Sequence, residues 1–307
     1  VPVSGGASMR WFWLRRRKND GVATATRQTT ADAMDDRRRL QDAPYVLPSD
    51  DKEINRLDFQ HYMLRYALRG NFAAPIQRPM SILDVGSGTG RWATEMARLF
   101  PDTNVIGTDI VAPNPENTPS DDGARPDNYA FIQGNVLEGL PFADGAFDYT
   151  HMRLLLFAIP EARWPDVTRE LVRVTRPGGW IELVETGPQR NGGPAMDQIV
   201  NWITQASLKR GINPLLGPRI GGFLGEAGVP NVSAREIALP VGAYGGRVGR
   251  LAETDVFGVL QGVKGLVASQ NLATPEQYDN AVMAARADLN NYQCALPFYI
   301  AYGQRPG

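Results

Sequence analysis

Gly86, Gly88 and Gly90 alternate with other residues between a short apolar run, 81–85, and a stretch of helical spacing that begins at Arg91. Glycine lets a backbone turn sharply and approach a ligand where a Cβ would intrude. A helix start adds N–H groups without intrahelical partners, which suit a carboxylate or a phosphate. Together they make a binding loop for a nucleotide-like ligand at the carboxyl end of a first strand. The dinucleotide fingerprint G-x-G-x-x-G would need a third glycine at 91, where this chain has Arg91. Asp84 lies two residues before the first glycine, and Asp109 lies 23 residues after it, at the end of the next apolar run. A carboxylate at the second place accepts both hydroxyls of a ribose. Nicotinamide dinucleotides and S-adenosylmethionine (SAM) both carry one; the glycine spacing and Asp84 favour SAM.

These residues need a scaffold, and the pattern of the chain supplies one. Residues 49–70 have helical spacing at Ile54, Leu57, Tyr62, Leu64 and Leu68, with Gly70 at the stop. Short apolar runs at 81–85, 105–109, 129–132, 146–151 and 180–185 read as strands, with helices at 91–100 and 164–174 and a Pro-Gly-Gly turn at 177–179. Where a further helix is expected, 111–128 is a Pro/Asn/Asp-rich loop. Strands alternating with helices predict a doubly wound, mostly parallel sheet with right-handed crossovers. Beyond residue 187, helices are expected at 195–209, 220–227, 250–268 and 275–292, and strands at 232–241 and 296–302. The organisation is thus a basic arm over 1–50, a helical lid over 51–75, a ligand-binding core over 76–187, and a substrate-side region over 188–307 that completes the sheet. The apolar run 154–159 has the length of a core strand or helix segment.

Composition narrows the function. The chain has 307 residues, 43% hydrophobic and 21% charged, so a collagen-like, coiled-coil or disordered chain is excluded. The net charge of −1 gives no general field to hold nucleic acid or an anionic membrane. Charge is uneven, however: residues 1–42 carry nine basic and five acidic side chains, so this arm is +4 and the remainder −5. The single cysteine, Cys294, excludes an internal disulfide and a cysteine-built zinc site, and two histidines, His61 and His151, argue against a histidine-built metal site. No run approaches the roughly 20 apolar residues of a membrane-spanning helix. A cytoplasmic, metal-independent protein is expected.

The run 82–90, the Gly-Thr-Asp at 107–109, the Gly-Asn-Val at 134–136, residues 147–153 and the Arg-Pro-Gly-Gly-Trp at 176–180 resemble the ordered motifs of class I SAM-dependent methyltransferases. Trp92-Ala93, His151-Met-Arg153, residues 177–183 and the stretch 55–61 are similar to a group best known from fungal regulators of secondary metabolism. The likeness spans roughly residues 52–187. It implies a Rossmann-like, seven-stranded sheet with a reversed last strand. It also implies that Asp84 and the loop Gly86, Ser87, Gly88, Gly90 hold the methionine part of SAM. Asp109 would take the ribose, Ile110 would lie against the adenine, and Trp92, Val136, His151 and Arg153 would join the cofactor site. Where the family usually offers an acid to the adenine amino group this chain has Asn135, whose carbonyl can accept the same bond.

For the transfer step, His151 and Glu185 are the candidate proton acceptors; histidine titrates near neutrality, and Glu185 closes the fifth strand at the substrate edge. His61, Tyr62 and Tyr66 on the lid, with Trp202 and Tyr244, are candidate substrate contacts. The expected activity is methyl transfer to an O, N or C nucleophile of a small, partly apolar molecule, in specialised metabolism. Three alternatives stay open: a protein or RNA methyltransferase using the basic arm, a SAM-binding regulator acting through a protein partner, and a nicotinamide-dependent dehydrogenase. A homo-oligomer is compatible with all of these.

Overall fold

The computed structural model describes residues 51–113 and 125–307. The basic arm and the middle of the 111–128 loop lie outside the described residues. Helix α1 (Asp51–Leu68) precedes β1 (Ser81–Val85), α2 (Arg91–Leu99), β2 (Asn104–Thr108), β3 (Tyr129–Phe131) and β4 (Phe147–Arg153). Then come α3 (Trp164–Val174), β5 (Thr175–Thr186), α4 (Gly193–Leu208), α5 (Ile220–Glu226), β6 (Ser233–Pro240), α6 (Gly246–Ser269), α7 (Pro275–Tyr292) and β7 (Ala295–Gln304).

The seven strands lie in the order β3-β2-β1-β4-β5-β7-β6. β1 to β5 are mutually parallel, and β7 runs antiparallel to both β5 and β6. The expected seven-stranded sheet with a reversed last strand is therefore the observed one. The strand order reverses direction between β1 and β4, so the connections leaving those two paired strands pass to opposite faces of the sheet and leave a crevice at their carboxyl ends. The glycine loop after β1 opens into it.

Burial explains the strands. β1 is buried at Ile82, Leu83, Asp84 and Val85, as a central parallel strand covered on both faces must be. One apolar cluster packs α2 against Ile82, Val105 and Tyr149; a second packs α3 and α5 against Leu83, Met152 and Leu183. A third is built by α1, α4, α6 and α7 around Phe298 and Ile300 of β7. Residues 188–307 therefore share a core with α1 that is continuous with the sheet. α7 begins with a capping box: Thr274 Oγ1 accepts from Gln277 N, and Gln277 Oε1 accepts from Thr274 N.

Three local expectations change. The Pro-Gly-Gly segment does not precede the fifth strand but sits inside β5, as an excursion between the Phe147–Thr175 and Tyr149–Trp180 pairings. The apolar run at 154–159 is neither strand nor helix core; it is a turn leaving β4, entered through Leu154 at φ 57°. Helix α6 begins four residues before the expected 250, because Gly249 packs against Gly242, whose N–H donates to the Gly249 carbonyl.

The segment joining α1 to β1 is fastened to the body. Asn71 Nδ2 donates to Glu95 Oε2, and the Asn71 carbonyl accepts from Trp92 Nε1. The buried Glu182 carboxylate in the middle of β5 accepts from Ala73 N and Ala74 N. Only Arg69, at φ 57°, and Gly70 intervene between the helix and this anchorage.

Candidate active site

The glycine loop is built from the strand ends outward. Gly86 N and Ser87 N both donate to the Thr108 carbonyl, at 2.8 and 3.0 Å, which ties the loop to β2. Gly86 and Gly90 have φ of 69° and 76°, and a Cβ would meet Leu155 at 2.7 Å and the Tyr129 hydroxyl at 2.5 Å respectively. Glycine is needed at both for conformation and for space. Above Gly88 a Cβ would meet only Leu57 of α1, at 3.7 Å. Helix α2 then starts with no side-chain cap and no acid in its first turn, so its N–H groups remain available to a ligand.

Among the charged groups near this loop are Asp109, Asp84 and Arg153. Asp109, just beyond β2, accepts from Gly88 N at 2.9 Å through Oδ2 and from Val111 N at 3.3 Å through Oδ1. Burial pushes its pKa up, opposed by those backbone bonds. Each carboxylate oxygen has lone-pair capacity for one more donor, so a ribose diol is chemically matched. Asp84, in β1, is 2% exposed and lies 3.0 Å from His151 Nδ1. Arg153, at the end of β4, is half-buried and faces Asp84, Glu95 and Asp58 electrostatically. A carboxylate and a guanidinium on neighbouring strands match the ammonium and carboxylate of an amino-acid end group. Ser87 Oγ is buried without a hydrogen-bond partner. The residues present therefore fit SAM: a diol acceptor, a zwitterion pair and a glycine cradle at one crevice.

Towards the adenine side the fit is partial. Ile110 is 37% exposed beside β2, and Gln133 Nε2 donates to its carbonyl. Asn135 Oδ1 already accepts from Leu137 N at 3.0 Å, and its Nδ2 donates to Glu138. One lone pair of the carbonyl is left for a ligand. Val136 is half-buried against the α3 side of the sheet.

Trp92 and His151 pack together behind Asp84. Their rings stack at 3.9 Å and 7°, and each is 1% exposed. Trp92 backs His151, and His151 in turn holds Asp84. Sequence reasoning placed both against the ligand because they flank the glycine loop and β4; in the structure their rings stack on each other beside Asp84. His151 is held between the Trp92 ring and the Asp84 carboxylate.

Helix α1 lies over the site. Asp58 accepts from Thr89 Oγ1 at 3.2 Å and from Arg91 at 3.0 Å, which fastens the lid to the glycine loop. Further along, Arg56 Nη1 donates to Asp255 Oδ1 of α6 at 2.7 Å, and Gln60 Nε2 donates to Asp255 Oδ2 at 3.2 Å. Arg56, Gln60 and Asp255 are all buried. His61, also buried, faces Arg153 and Glu95.

Beneath the lid a cleft runs from Leu57 to the helices of residues 188–307. Leu154, Leu156, Phe157, Ile203, Val256 and Phe298 form its apolar wall. Two buried acids line the cleft, Asp255, paired with Arg56, and Glu185 at the end of β5, whose Oε1 accepts from Leu155 N at 2.8 Å and Oε2 from Leu156 N at 3.2 Å. Burial pushes the Glu185 pKa up to about 8, against these backbone bonds. Such a carboxyl exchanges a proton near neutral pH.

None of the five expected substrate contacts lines this cleft. Tyr66 is 70% exposed on the outer face of α1, and Tyr62 lies under the Arg91 guanidinium. Trp202 packs on Tyr278, and the Tyr244 hydroxyl donates to the Cys294 carbonyl at a distance from the cleft. Aromatic type alone misled, because these rings serve the helical core or its surface. The residues that do line the cleft had a readable signal in part: the apolar run after β4 contributes Leu154, Leu156 and Phe157. Arg56, Gln60 and Asp255 carried none, since a charged residue on a helix usually faces solvent.

Residues 82–179 match the family model described as a methyltransferase domain. The N-methyltransferase sirN of Leptosphaeria maculans is 29% identical over 87% of this chain and 96% of its own length. The N-methyltransferase verN of Clonostachys rogersoniana is 28% identical, over 85% of this chain and 93% of its own. The secondary metabolism regulator laeA of Aspergillus flavus is 31% identical over 65% of this chain and 54% of its own length. With the sheet order and the crevice chemistry, these likenesses define the chain as a class I SAM-dependent methyltransferase. Within that class it is related to the fungal secondary-metabolism methyltransferases.

Proposed function

We propose that the protein methylates a small, partly apolar molecule held in the cleft under α1, with Glu185 as proton acceptor. The observation that carries this reading is the cleft itself: a mostly aliphatic and aromatic wall with one buried, proton-exchanging carboxyl at the strand edge that adjoins the glycine loop. Sites with an apolar lining and a few placed polar groups bind small ligands. That sirN and verN are N-methyltransferases favours a nitrogen nucleophile and specialised metabolism. Among the described residues no helix is long and apolar enough to cross a membrane. We place the enzyme in the cytoplasm, a setting that suits its single buried, free cysteine.

In this reading Asp109 takes the ribose hydroxyls, Asp84 the methionine ammonium and Arg153 the methionine carboxylate. Ile110, Asn135 and Val136 border the adenine. Bound SAM supplies an electrophilic methyl group on a sulfonium. The chain's own part is to hold the nucleophile close and aligned, and to exclude water with α1. The Glu185 carboxylate would take up the proton that the nucleophile loses and return it to solvent on product release. His151 fixes Asp84.

The test is label transfer from methyl-labelled SAM to a cell extract divided into small molecules, protein and RNA. Label is expected in the small-molecule fraction and should vanish with Asp109→Ala. Label confined to protein or RNA would overturn the reading.

A further inference from the structure

His61 occupies a place that substrate recognition does not explain. It is buried on the inner face of α1, and its Nδ1 lies 3.1 Å from Arg153 Nη2. A guanidinium has donors only, so Nδ1 is the acceptor and the ring proton sits on Nε2. That nitrogen lies 3.1 Å from Glu95 Oε1, an ion-pair distance rather than an aligned hydrogen bond. The imidazole thus bridges α2 to β4 in one tautomer, with the lid helix supplying the bridge.

We propose that His61 is a positioning residue: from the lid it orients the Arg153 guanidinium towards the methionine carboxylate of the cofactor, so that lid closure and capture of that carboxylate form one unit. This rests on the reading of Arg153 given above. Arg153 already faces Asp84, Glu95 and Asp58. Without an acceptor on α1 nothing in this bridge would hold its Nη2 arm in place. Asp58 fastens the same helix to the glycine loop, so the lid is tied to both banks of the cofactor crevice.

The charged and titratable groups around His61 set the direction of a pH effect. Arg153 faces it from β4, Glu95 and Arg91 from α2, and the Tyr62 ring lies edge-on at 5.3 Å from α1. Arg65, also on α1, pairs with Glu95. Burial pushes the His61 pKa below its ordinary value; Arg153 and Arg91 add to this, while Glu95 opposes it. Burial tends to raise the Glu95 pKa, but His61, Asn71 and Arg65 outweigh it and hold the group at about 2, so it stays charged. A proton on Nδ1 would set donor against donor at Arg153.

Binding of S-adenosylhomocysteine (SAH) and of 5′-methylthioadenosine, which lacks the amino-acid end, separates the possibilities by calorimetry on the full chain. His61→Leu is expected to weaken SAH about tenfold or more, the scale of a hydrogen bond to a charged group. The same variant should leave methylthioadenosine unchanged, which also shows that it folds. His61→Asn keeps an acceptor near the Nδ1 position and cannot titrate. It should restore SAH affinity and abolish the loss that the wild type shows as pH falls below the ordinary histidine range. If His61→Leu binds SAH like the wild type, or weakens both ligands equally, the proposal falls. Arg153→Met tests the underlying reading separately: if it fails to discriminate SAH from methylthioadenosine, Arg153 does not hold the carboxylate, whatever His61 does.

Discussion

Glu185 links rate and stability to pH through a single carboxyl. Its pKa stands at about 8 in the folded protein because burial disfavours the charge. At about pH 7 roughly one tenth of it is ionised, and at about pH 9 roughly nine tenths. If the carboxylate accepts the proton of the nucleophile, kcat/KM should rise about tenfold across that interval and level off. Glu185→Gln should lose the rise along with most of the rate. Stability must move the other way. Between about pH 4.5 and about pH 8 the unfolded chain releases this proton while the folded chain keeps it, so folding stability falls as pH rises through that window. A gap of about 3.5 pKa units corresponds to on the order of 5 kcal/mol by the top of the window. Urea unfolding of the wild type and of Glu185→Gln at intervals from about pH 5 to about pH 9 isolates this contribution, since the difference between the two removes every other titrating group. A difference that does not change with pH would refute a proton-holding Glu185. A tenfold rate rise retained by the glutamine variant would refute its role in proton transfer.

Asp109→Ala should weaken SAH at least about a hundredfold in calorimetry, because two charge-assisted hydroxyl contacts are lost together. Gly90→Ala should lower the melting temperature, at a cost of about 1–3 kcal/mol, since the new Cβ lies 2.5 Å from the Tyr129 hydroxyl at φ 76°. Arg56→Met leaves Asp255 without this buried guanidinium and should cost about 3–5 kcal/mol in denaturant unfolding, whereas Arg56→Met with Asp255→Leu should recover much of that loss.

The half of the molecule that binds the cofactor was legible because backbone requirements dictate its residue types. Glycines at 86 and 90 answer to left-handed φ and to contacts with Leu155 and Tyr129. Asp109 answers to the end of a strand, and the strand–helix alternation fixes which end faces the crevice. The sheet order follows from the same alternation, and the reversed strand from the final antiparallel pair of β6 and β7, which α6 and α7 separate in sequence. Residues 188–307 were legible only as elements. Helices α4, α6 and α7 show their periodicity, but which of their side chains meet under the lid depends on how α1 crosses α6, a tertiary fact with no local signature. Arg56 and Asp255 are 199 residues apart, and each alone reads as a surface charge. Tyr66 and Tyr244 read as pocket residues by type and are among the exposed ones. His151 was placed near the correct atoms, and its ring is stacked on Trp92 beside Asp84.

The anchorage of residues 71–74 to Glu95, Trp92 and Glu182 makes α1 a lever with a fixed fulcrum at Arg69 and Gly70. Arg56 stands twelve residues up the helix from Leu68, about 18 Å at 1.5 Å per residue. A tilt of about 10° at the fulcrum carries Arg56 through about 3 Å, enough to part it from Asp255. Leu57 and Asp58, beside it, would leave the glycine loop in the same stroke. The glycine loop and the cleft therefore lie under the long arm of one beam, and the slack available to it is set by two residues at the short end.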